Sequence, residues 1–107
     1  MEVQINTSNN VDGREALTQQ LEETVRSRLS RFSERLTRVE VHVGDENGER
    51  NVGDDKRCVI EVRPAGRAPI SVTDQAGSID QAASGALNKV VTALERDFGK
   101  ITNRKGH

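Results

Sequence analysis

The sequence predicts an α+β fold, a two-layer sandwich in which a four-stranded sheet carries two helices on one face, and three observations predict it. Two long segments repeat apolar residues every three or four positions, the period of a helix with one buried stripe. Four short segments alternate apolar and polar residues, the period of a strand with one buried face. At 107 residues the chain can build one hydrophobic core and not two, so both stripes and all four faces must meet in the same place. The order of the segments is β-α-β-β-β-α, over a single domain spanning 1–107.

The elements follow in turn. Val3 and Ile5 alternate with Gln4 and Asn6, which places a strand over 2–6. Asp12 with Glu15 three residues on has the form of a capping box and opens a helix over 13–36. Its apolar residues Leu17, Leu21, Val25, Leu29, Phe32 and Leu36 keep to one stripe. Val39, Val41 and Val43 give a strand over 38–44, and Cys58, Ile60 and Val62 another over 56–63. Between them 44–55 is a long acidic connection with three glycines. Pro64, Ala65 and Gly66 make a turn into a fourth strand over 68–74, and Pro69 marks that strand's start as an edge. Ser78 with Gln81 caps a second helix over 78–101, with Asp74 as an alternative cap. Its stripe is Ile79, Ala83, Ala86, Leu87, Val90, Leu94, Phe98 and Ile101.

A formal net charge of -1 conceals segments of opposite sign. From 26 to 38 five arginines face one glutamate, whereas from 40 to 55 six acids face one arginine. On an ideal helix Arg28, Arg31, Arg35 and Arg38 line one flank of the first apolar stripe, with Glu15, Glu22, Glu23 and Glu34 on other faces. Lys89, Arg96 and Lys100 fall within about 40° of one another on the second helix, with Glu95 well away. Rows of arginine and lysine on neighbouring helices suit a phosphate backbone. Phe32 and Phe98, the only aromatic residues, both lie on apolar stripes, so no ring is left to stack on unpaired bases. The ligand expected from these residues is structured RNA, recognised by shape and phosphates.

Chemistry is not expected. His42 lies on the polar phase of its strand and Cys58 on the buried phase, and no catalytic or metal-ligand spacing surrounds either, so no catalytic residue, metal or cofactor is assigned. The single cysteine suits a reducing compartment, and no apolar run is long enough to span a membrane. The first residues lack a signal-peptide pattern, so a cytoplasmic location is expected.

With these elements in place the chain resembles the ribosome hibernation promoting factor and ribosome-associated inhibitor (protein Y) family. The resemblance is carried by Val3, Gln4, Ile5 and Asn6, by Arg-Leu-Thr-Arg-Val-Glu-Val-His over 35–42, by Val-Arg-Pro-Ala-Gly over 62–66, and by Ala-Leu-Asn-Lys-Val-Val-Thr-Ala-Leu-Glu-Arg over 86–96. It implies a fold like that of double-stranded-RNA-binding domains, occupancy of the decoding region of the small ribosomal subunit, and silencing of translation without a reaction. It also implies ribosomal RNA contacts at Arg28, Arg31, Arg35, Lys89, Arg96 and Lys100, to which the flank geometry adds Arg38. Neither a membrane nor a small-molecule substrate is expected as partner, and the free protein is expected to be a monomer. The chain is longer than typical members between its second and third strands, and the acids of 44–55 must point away from an RNA site. A reading of another class makes this acidic loop a protein-contact surface in a regulatory module that does not bind ribosomes. The end of the chain soon after the second helix resembles the short form of the family, without a separate dimerisation domain.

Overall fold

Four strands form one mixed sheet in the spatial order β1 (Glu2–Thr7), β2 (Leu36–Asp45), β3 (Lys56–Pro64), β4 (Ile70–Ala76). The structure, a computed structural model, describes residues 1–7, 14–45 and 56–106, with side chains over 1–7, 15–44 and 56–98. β1 runs parallel to β2, and such a pair needs a crossover, which α1 (Arg14–Arg28) provides. β2, β3 and β4 are successively antiparallel. The register sets Val3 beside Val39, Ile5 beside Val41, Val43 beside Cys58 and Ile60 beside Val72. Because side chains alternate between faces, all of these project to one side, where α1 packs on β1 and α2 (Ile79–Gly106) packs on β3 and β4. Leu21, Val25, Leu29, Val39, Val41, Ile60, Val62, Leu87, Val90 and Leu94 form the buried layer between.

The helix expected over 13–36 is two elements. α1 stops at Arg28, and Ser30–Arg35 is a 3-10 helix from which the chain passes directly into β2. Leu29 is the joint, with φ -105° and ψ 11°. Its amide closes the last α-turn on Val25 O at 3.0 Å, and its carbonyl accepts from Phe32 N at 2.9 Å. The apolar spacing of four, three and four is satisfied equally by this arrangement, because residues three apart eclipse in a 3-10 helix and so Leu29 and Phe32 still face the core. Ser27, Ser30 and Ser33 recur through the joint, and serine competes for backbone hydrogen bonds in a helix interior. Leu36 is extended and begins β2, two residues earlier than the apolar alternation indicates.

The other boundaries also shift. β4 covers 70–76 instead of 68–74, so Pro69 lies just outside the strand and costs it no ladder hydrogen bond. The helix expected to close at 101 continues to Gly106, through Gly99. Ser78 caps it: Gln81 N donates to Ser78 Oγ at 3.2 Å and Ala82 N to Ser78 O at 3.0 Å. The proposed cap at Asp12 and residues 46–55 of the acidic connection lie outside the described residues. The turn after β3 is tied back to the 3-10 helix, since Ala65 N donates to Arg35 O at 2.8 Å. Gly66 has φ +72°, a left-handed conformation that glycine adopts at little cost.

Asp74, the other candidate cap, has a different use. It projects from β4 against α2 where residue 85 is glycine, and a Cβ at that position would collide with the Asp74 carboxylate. Gly85→Ala gains up to about 1 kcal/mol of helix propensity but displaces a short, ion-paired side chain, and overpacking of this kind costs about 1–3 kcal/mol. The expected outcome is net destabilisation by chemical denaturation, relieved when Asp74→Ala is added.

Candidate nucleic-acid interface

The sheet has two unlike faces, and the open one is internally neutralised. Arg38 lies on β2, opposite Glu2 in the register. Its Nε donates to Glu40 Oε1 at 2.9 Å, one terminal nitrogen to Glu2 Oε1 at 3.1 Å, and the other to Gln4. The assignment of Arg38 to the helical row therefore fails, because Arg38 belongs to β2 and projects from the open face of the sheet. Glu40 also has His42 Nε2 at 3.5 Å. The Arg38 hydrogen bond holds its carboxyl below the usual carboxylate range, with the charges of Arg38 and His42 acting in the same direction and partial desolvation opposing them. Arg63 pairs with Glu61 at 3.4 Å on the same face.

His42 stands beside Val59 on this open face, while Cys58 stands beside Val43 on the covered one. The two side chains are on opposite sides of the sheet and cannot share a pocket. Cys58 is fully buried, and desolvation, reinforced by the nearby charge of Asp74, pushes its thiol up to about 12 from an ordinary 9.0. A raised acid pKa leaves stability intact below the unfolded value. Above pH 9 the unfolded chain releases this proton and the folded one keeps it, so stability falls by about 1.4 kcal/mol per pH unit. Urea unfolding at pH 8 and pH 10.5 is expected to show wild type losing about 2 kcal/mol more than Cys58→Ala over that interval.

On the helix-bearing side arginines gather around the two phenylalanines. Phe32 and Phe98 are buried, with ring centroids 5.8 Å apart, and guanidinium groups roof them. Arg31 lies 4.7 Å above Phe32, and Arg35 and Arg67 lie 4.9 and 5.4 Å from Phe98. Each ring attracts the cation through its negative face and holds a flexible side chain in place. The two phenylalanines are thus core residues that also position arginines. Arg31 reaches across to pair with Glu95 of α2, and Arg28 donates to Asn88 Oδ1 at 2.5 Å, so the two basic segments are stitched into one surface. Glu95, set apart from the cations on the helical wheel, is in the structure the acid that meets Arg31.

Lys89 Nζ donates to Thr73 O at 2.7 Å and pairs with Asp74 at 3.3 Å, and Arg67 pairs with Asp97 at 2.7 Å. Arg35 and Arg96 carry no ion pair among the described residues. The side chain of Lys100 lies outside them. Arg28, Arg31, Arg35, Arg67, Lys89 and Arg96 stand across α1, the 3-10 helix, the β3–β4 turn and α2, and the carboxylates paired with this set are Glu95, Asp97 and Asp74. Arg31, Glu95 and Lys89 are each more than half exposed in their pairs, and such pairs contribute about 0–1 kcal/mol, so a phosphate can replace the carboxylate at small cost. Arg67 was missed by helix-based reasoning, since it follows the Gly66 turn; its signal lay in 56–67, where Lys56, Arg57, Arg63 and Arg67 face Glu61 alone.

Between that turn and α2 is a cavity of about 470 Å³ lined by Arg67, Ala68, Pro69, Ile70, Ala93, Arg96 and Asp97. A second depression of about 330 Å³ along α2 shares Ala93 and Arg96 with it and extends to Asn88 and Lys89. Among the described residues no cluster of acidic, histidine or cysteine side chains is placed to hold a metal ion, and no helix is long and apolar enough to cross a membrane.

Comparison with solved structures finds the same fold elsewhere. The N-terminal domain of Thermus thermophilus Protein Y superposes with a TM-score of 0.70 at 18% identity, over 90% of this chain and 98% of that one. A ribosomal subunit interface protein from Coxiella burnetii superposes with a TM-score of 0.68 at 15% identity, over 92% and 99%. Curated protein sequences give no match. A family model for sigma 54 modulation protein / S30EA ribosomal protein matches residues 4–103, from the first strand to the last turns of α2. The chain therefore belongs to the sigma 54 modulation protein / S30EA ribosomal protein family, the group that includes the hibernation factors its sequence resembles.

Proposed function

We propose that this protein is a ribosome-binding translation silencing factor, which occupies the decoding region of the small subunit through its cationic helix face and carries out no reaction. The observation that carries the proposal is the surface across α1, the 3-10 helix and α2, where Arg28, Arg31, Arg35, Lys89 and Arg96 stand together and aromatic stacking orients two of them. Arginine offers planar, bidentate donors to phosphate, and each neutralised phosphate releases counterions. Membership of a family described as ribosomal, and the likeness to a ribosomal subunit interface protein, support the same partner. In this reading the protein works in the cytoplasm, is a monomer when free, and takes neither cofactor nor small-molecule substrate. Arg38 is removed from the contact set and Arg67 is added to it.

Backbone cleavage of small-subunit RNA by hydroxyl radicals tests the placement. Bound protein is expected to protect the decoding region and to compete there with messenger and transfer RNA. Protection confined to another part of the subunit overturns the proposed site.

A further inference from the structure

We infer that the cavity between the β3–β4 turn and α2 receives one unstacked nucleotide, its base lying on the Arg67 guanidinium and its phosphate held by Arg96. The inference rests on the RNA-binding reading above and specifies what one part of that face recognises. The cavity, at about 470 Å³, falls in the range of small-ligand sites, and its lining divides by chemistry. Ala68, Pro69, Ile70 and Ala93 give the lining apolar surface, and Arg67 and Arg96 give it positive charge.

Arg67 is fixed from two sides, by Asp97 at 2.7 Å and by the Phe98 ring at 5.4 Å. A guanidinium held in this way is a flat, weakly hydrated platform, and bases stack on arginine planes as they do on aromatic rings. The chain has no exposed aromatic residue, but the Phe98–Arg67 stack brings the same capacity to the surface. Arg96 has no ion pair among the described residues and lines both the cavity and the depression that continues to Lys89. Lys89 and Arg96 are seven residues apart on α2, about 10 Å along its axis. A strand leaving the cavity therefore meets a second cation along the same groove. The lining has a single carboxylate, that of Asp97, and Arg67 engages it, which leaves the free charge positive and suited to an anionic ligand.

The test is an amide-resolved NMR titration of the intact protein with adenosine 5′-monophosphate, alongside inorganic phosphate and adenosine, and with Ala93→Leu as the variant that fills the cavity without changing charge. The nucleotide is expected to shift amides of 67–70 and 93–97, to bind at least about tenfold more tightly than inorganic phosphate, and to lose that advantage in Ala93→Leu. Equal shifts from inorganic phosphate alone, or nucleotide shifts unchanged in Ala93→Leu, overturn the base site. Wild type that sediments with small subunits yet shows no shift in these segments also overturns the cavity assignment while the ribosome reading stands. Cavity shifts without ribosome association do the reverse.

Discussion

Arg31→Glu/Arg35→Glu is expected to weaken association with purified small subunits on the order of a hundredfold at physiological salt. Each arginine that donates to a phosphate contributes about 1.5–3 kcal/mol, and reversal replaces attraction by repulsion, so two positions amount to at least about 3 kcal/mol. Part of the effect could arise from loss of structure, because Arg31 pairs with Glu95 and stacks on Phe32, and Arg35 stacks on Phe98. Those contacts are exposed and contribute about 1 kcal/mol or less each. Arg31→Lys/Arg35→Lys separates the two causes. It keeps the charge and gives up the planar stack, and it is expected to retain most of the affinity. Fluorescence anisotropy of labelled protein, beside thermal unfolding of each variant, makes the comparison; an Arg31→Glu/Arg35→Glu protein that is folded and binds as wild type does would remove this face from the account.

A large effect on stability is expected at Leu29. This residue is fully buried at the joint between α1 and the 3-10 helix. Leu29→Ala leaves a cavity under both and costs about 2–5 kcal/mol. Leu17, one of the same apolar series but only partly buried near the start of α1, is expected to cost less when changed to alanine. Because the 3-10 helix carries Arg31 and Arg35, Leu29→Ala is also expected to weaken ribosome association, and cooling should restore binding as it restores folded protein. Equal losses of stability at Leu17 and Leu29, measured by urea unfolding, would mean that the joint is not where the packing of this layer is concentrated.

The fold was legible because its signals are periodic and agree across levels. Val39, Val41 and Val43 announce a half-buried strand, and Ile79 through Phe98 a half-buried helix, and the elements can bury those faces only against one another. The break at Leu29 was not legible from the apolar residues, since a spacing of three at Leu29 and Phe32 serves an α-helix and a 3-10 helix alike. The recurrence of Ser27, Ser30 and Ser33 was the available sign. Arg38 was misplaced for another reason: the helical row was extended past 36 into the strand expected over 38–44, and that strand puts Arg38 on the open face of the sheet, among Glu2, Gln4 and Glu40.

Charge partners were the other hidden part. A helical wheel compares residues within one helix, so it separates Glu95 from Lys89 and Arg96 correctly and is blind to Arg31 arriving from another element. The same blindness hid Arg67, which reaches the Phe98 ring from a turn more than thirty residues earlier. Phe32 and Phe98 could be assigned to the core from their stripes, but their role in orienting three arginines exists only once the two helices and the β3–β4 turn are packed together.

Sedimentation of the purified protein with bacterial ribosomes through sucrose gradients, at low and at physiological salt, decides whether this arginine-bearing face binds the ribosome. The protein is expected to travel with the small subunit, and the association to weaken as the salt is raised, as counterion release requires. Protein that remains at the top of the gradient even at low salt would mean that this face serves another partner.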